Sequence, residues 1–125
     1  MTPTEDVGTD ELLELAERCE QATGPDAALD YDILCVADPR ALRTGKLPGD
    51  PRYTASLDAA MTLVRDSDVW GVSKQERNPN ADYYYQASVM PFGPRPWGEA
   101  IGNTAPLALC AAALRSRAAT REDER

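Results

Sequence analysis

The side chains in this sequence best suited to holding a ligand are arginines and aromatics gathered on two proline-rich segments. The first, residues 39–53, carries Arg40, Arg43, Lys46 and Arg52 against Asp50 alone. Guanidinium groups form forked contacts with phosphate and carboxylate, and loops held on a rigid scaffold are where such contacts commonly sit. The second segment, Pro91 to Gly98, bears Phe92, Arg95 and Trp97, and Tyr84 stands a few residues upstream. Aromatic faces stack on flat ligands, and an arginine beside them adds an anion contact. Each segment also has a plainer reading. The cationic stretch is then a solvated loop, and Phe92 and Trp97 fold down as lids on the core or meet another subunit. Asn103 and Thr104 supply a third anion site if the helix after them offers its first backbone N–H groups. The same two residues are accounted for by an ordinary helix cap.

Catalytic chemistry is harder to find. The chain has no histidine, which removes the commonest general base and metal ligand. No nucleophile sits in a His-based triad, no glycine-rich phosphate loop occurs, and the zinc spacings are missing. Pairs of carboxylates could in principle do acid–base work or hold Mg²⁺, but 21 acidic residues in 125 make any one pair unspecific. No catalytic residue, metal ligand or cofactor is therefore assigned. Cys19, Cys35 and Cys110 fall at apolar helical positions; their odd count and wide spacing fit buried thiols in a reducing cytoplasm.

The formal net charge is −8, and ten carboxylates with the single cation Arg18 lie within residues 1–32. An acidic chain of this kind lacks the basic track that long nucleic acid requires. No run of eighteen apolar residues and no basic-then-apolar start is present, so neither a membrane span nor a signal peptide is expected.

These residues need elements to position them. The clearest is a C-terminal helix over Thr104–Ala118, with Thr104 as cap, Pro106 in the first turn and an unbroken apolar run from Leu107 to Leu114. Such a helix has no polar face over two turns and must be covered on several sides. Arg115 and Arg117 would complement its negative end. Upstream, Thr9 caps a helix to about Ala22 whose buried face is Leu12, Leu15, Ala16 and Cys19, with Glu11, Glu14, Glu17 and Glu20 read as solvated charge. Asp26 opens a second helix, carrying Leu29, Ile33, Val36 and Ala37 at helical spacing, that closes at Asp38-Pro39. A third runs from Tyr53 to Val64, capped at Thr54 or Ser56, with Leu57, Ala60, Met61 and Val64 buried. Strands are predicted around Val69–Ser73 and over Tyr83–Met90, joined through Asn78-Pro79-Asn80, with a short third strand at Glu99–Gly102. Trp70 and Val72 share one face; Tyr83, Tyr85, Ala87 and Val89 share one face of the returning strand, and Tyr84, Gln86 and Ser88 the other. Residues 1–8 read as a flexible tail, 9–118 as one domain and 119–125 as a charged tail.

The order of amphipathic N-terminal helices, Tyr53-Thr54-Ala55-Ser56-Leu57-Asp58-Ala59-Ala60, a Trp-bearing strand, an Ala-bearing strand and Thr104 to Leu114 resembles the phage ABA-sandwich domain proteins. That resemblance implies a compact α/β sandwich with helices on both sides of a small sheet, and the expected fold is α+β: a small antiparallel sheet of two to four strands sandwiched by about four helices, the Ala/Leu-rich C-terminal helix central. More distantly, the same layout is similar to the phage anti-Thoeris sponge family, homo-oligomers that sequester cyclic nucleotide signals. Asn103 stands before the last helix as in that family's Asn-Pro-Leu-Arg pattern, but Thr104-Ala105 intervenes before Pro106 and no arginine follows at Ala108 or Leu109. No binding residue is carried over from it. The expected function is accordingly a non-enzymatic phage or prophage accessory protein, cytoplasmic and homo-oligomeric, that binds a nucleotide-type immune signal at a subunit interface. The alternative is a protein-interaction module with no small ligand.

Overall fold

The computed structural model describes residues 9–37, 52–64, 69–78, 82–90 and 98–123. They form α1 (Thr9–Gln21), α2 (Ala27–Ala37), α3 (Leu57–Met61), β1 (Val69–Asn78), β2 (Asp82–Met90), β3 (Gly98–Gly102) and α4 (Ala105–Asp123). The fold is α+β: among the described residues, a three-stranded antiparallel sheet in the order β1-β2-β3 stands with four helices.

Helix α4 is the centre of the molecule. Every residue from Leu107 to Leu114 is buried, as the unbroken apolar run demands. One side of α4 lies against β3 and β2 and touches β1 least; its other sides meet α1 and α3. Close approach to the sheet is made possible by two strand glycines. A Cβ on Gly98 would collide with the Ala112 carbonyl oxygen and come within 2.5 Å of the Ser116 backbone N. One on Gly102 would lie 2.6 Å from the Ala108 backbone N. Only glycine lets a strand backbone sit this near a helix backbone. Thr104 caps α4 as expected, its Oγ1 accepting from the Leu107 N–H at 3.3 Å. The helix continues past Ala118 to Asp123 because Ala-Ala-Thr-Arg-Glu-Asp contains no breaker. So much of the stretch predicted as a charged tail is helical, and Arg115 and Arg117 do not sit at a helix end. Arg117 instead donates from Nε and Nη2 to the Leu63 carbonyl, at 3.2 and 3.0 Å.

The strand registers follow the sequence alternation. Val72, Ala87 and Ala100 line up across the sheet, flanked by Trp70, Val89 and Gly98. These face α4; Ala87, Val89 and Ala100 are buried. Strand β1 runs to Asn78, well past Ser73, since Lys74-Gln75-Glu76 pair with Tyr85, Tyr84 and Tyr83 although none of the three is an apolar strand former.

Two local differences have clear causes. Helix α3 is only Leu57–Met61, capped by Ser56, whose Oγ accepts from the Ala59 N–H at 3.3 Å. Beyond it the bonds tighten to i→i−3, with Leu63 N–H on the Ala60 carbonyl and Val64 N–H on that of Met61. That winding turns Leu63 inward beside Ala60, leaving Met61 38% exposed and Leu57 and Val64 half-buried. Thr54 is not a cap. It is buried, accepts the Asp26 N–H at 2.8 Å and donates to Asp30 Oδ1 at 2.7 Å, while its own N–H reaches the same oxygen at 2.7 Å. Asp26 caps α2 through the Leu29 N–H, as the sequence predicts. No helix of the described residues is long and apolar enough to cross a membrane.

Candidate functional site

Of the nine candidate ligand residues, Arg40, Arg43, Phe92, Arg95 and Trp97 lie outside the described residues. The other four occupy three separate places. Arg52 is exposed at the start of the turn leading into α3, its carbonyl accepting from the Ala55 and Ser56 N–H groups at 3.1 and 3.0 Å. Tyr53 beside it is buried and packs on the helical side. Tyr84 is half-buried on β2 opposite Gln75, on the sheet face that points away from α4. Asn103 and Thr104 stand together at the start of α4, with structural tasks of their own. Asn103 Nδ2 donates to the Ala22 carbonyl at 2.7 Å, tying the end of α1 to the end of β3, and Thr104 is the cap.

Among the described residues, no element packs on the sheet face that carries Tyr84. That face comprises Val69, Gly71, Ser73 and Gln75 from β1, Met90, Ser88, Gln86 and Tyr84 from β2, and Glu99 and Ile101 from β3. Helix contacts with the sheet among the described elements come from α4 against the three strands and α1 against β3. Val69 is 60% exposed and Ile101 45%, so apolar side chains stand in water at both ends of this face. A shallow hollow lies over Gly71, bordered by Trp70, Ser73, Gln86, Ser88 and Met90. It holds no charged side chain.

A second concavity separates α1 from α2, lined by Glu11, Glu14, Leu15, Arg18, Asp32, Cys35 and Val36. Arg18 Nη1 donates to Asp32 Oδ2 at 2.7 Å, and this contact, ahead of the more distant carboxylates, raises the guanidinium pKa further. The arginine is thus already matched to a carboxylate of the chain, in a groove that remains acidic. No group of three or more metal-ligating side chains occurs among the described residues.

Glu20, read from sequence as one of a solvated strip, is built into the packing. It pairs with Arg115 of α4, and its Oε2 accepts from the Ile101 N–H of β3 at 3.4 Å. No sequence signal distinguishes Glu20 from Glu17, because its partners are about 80 and 95 residues away. Two of the three thiols match their reading as buried packing groups. Cys19 and Cys110 are buried, Cys35 is half-buried, and all three are free. Cys110 Sγ donates to the Tyr53 carbonyl at 3.2 Å. The hydrogen-bonding Cys19 thiol beside it, then burial, then the charges of Cys19 and Asp30 hold the Cys110 thiol well above its ordinary value. A thiol held protonated is a poor nucleophile.

Comparison with protein-family models, with curated proteins and with solved structures finds no match to this chain.

Proposed function

We propose that the protein is a non-enzymatic interaction module, homo-oligomeric and cytoplasmic in a bacterial host, that presents the outer face of its sheet to a protein partner. The observation that carries this reading is the open face itself. Val69 and Ile101 are exposed on it, with Tyr84 and Met90 half-buried between, and no described helix covers it. Exposed apolar groups ranged along one rigid surface are suited to a partner, whereas scattered ones need no explanation. The acidic α1, with Glu11, Glu14 and Glu17 exposed, gives that partner an electrostatic reason to be basic. The phage or prophage setting rests on the sequence resemblance alone.

A nucleotide-type ligand is the less favoured reading, because neither described concavity brings an unmatched cation beside an aromatic ring. One experiment separates the two. The purified protein is subjected to a thermal-shift screen against cyclic dinucleotides, cyclic trinucleotides and cyclic ADP-ribose isomers. A ligand at a hundred times its dissociation constant stabilises by about 2.7 kcal/mol, and such a hit overturns the interaction-module reading. In parallel, affinity capture from host lysate compares wild type with Ile101→Glu. Proteins retained by the first and lost by the second support it; identical retention of every captured protein refutes the outer face as the surface.

A further inference from the structure

We draw no further inference here: the strongest candidate, the shallow hollow over Gly71 on the outer face of the sheet, lies on the surface already proposed for a partner, and nothing among the described residues shows what covers it.

Discussion

Thr54→Val is the most informative single change in the core, because it removes one oxygen and alters almost nothing else. The Thr54 side chain is 1% exposed and joins three parts of the chain: its hydroxyl takes the Asp26 N–H at the start of α2 and gives its proton to Asp30 one turn later. Valine keeps the branched shape. It leaves Asp30 with the Thr54 N–H at 2.7 Å but without the hydroxyl, and leaves the Asp26 N–H without its acceptor. A hydrogen bond to a charged carboxylate contributes about 1.5–3 kcal/mol and a neutral one about 0.5–1.5. Asp26 is exposed, so water can replace part of what its N–H loses. The expected cost is about 2–3 kcal/mol, which for a chain of this size lowers Tm by roughly 6–14 °C. Thr54→Ser keeps both hydroxyl bonds and gives up one buried methyl, about 1 kcal/mol. Urea unfolding of the three proteins, with equal m-values as the control for a two-state comparison, measures the difference. If Thr54→Val proves as stable as Thr54→Ser or more so, the hydroxyl does not hold α2 to the α3 turn and the reasoning fails.

Three other outcomes are expected. Gly98→Ala should destabilise by about 3 kcal/mol or more, since the new methyl meets the backbone of α4 rather than a movable side chain, whereas Gly24→Ala, with open space around it, should be neutral or slightly stabilising in the same denaturant titration. Glu20→Gln should cost about 1–2 kcal/mol by urea unfolding, because Arg115 is only 30% exposed and loses its charged partner; an unchanged midpoint would return Glu20 to the class of solvated charges. Thiol labelling of the native protein at pH 8.5 should modify Cys35 and spare Cys19 and Cys110 until denaturant is added. The raised Cys110 pKa carries a stability signature of fixed sign. Below the ordinary thiol value, about 8.5, its contribution is fully present; above it the unfolded chain binds fewer protons than the native one, so stability falls as pH rises toward the native value. Cys110→Ala should flatten that slope.

What could be read from the residues in order was whatever a local pattern encodes. The apolar run of α4, the alternation of β2, the Asp26 and Thr104 caps and the short strand ending at Gly102 each follow from neighbours in sequence, and each is present. The second half of β1 was not legible, because Lys74, Gln75 and Glu76 owe their extended form to pairing with the tyrosines of β2. Nor was the division of the acidic residues, where Glu20 differs from Glu17 only through β3 and α4. The candidate site fared likewise. The chemistry of Arg52, Tyr84, Asn103 and Thr104 is plain from their types, but their spread over three places depends on which side of the sheet the helices occupy.

The central position of α4 has a consequence for how the protein is made. The sheet, α1 and α3 all rest on a helix that comes after them in the chain, so the inner faces of β2 and β3 have nothing to cover them while the ribosome is still translating upstream. A nascent chain that has emerged only as far as Gly102 exposes its aliphatic strands and both sheet edges at once, the state most open to chaperone capture and to pairing with a neighbour on the same polysome. Burial of the faces that β2, β3, α1 and α3 turn toward this helix then waits for Leu107–Leu114 to emerge.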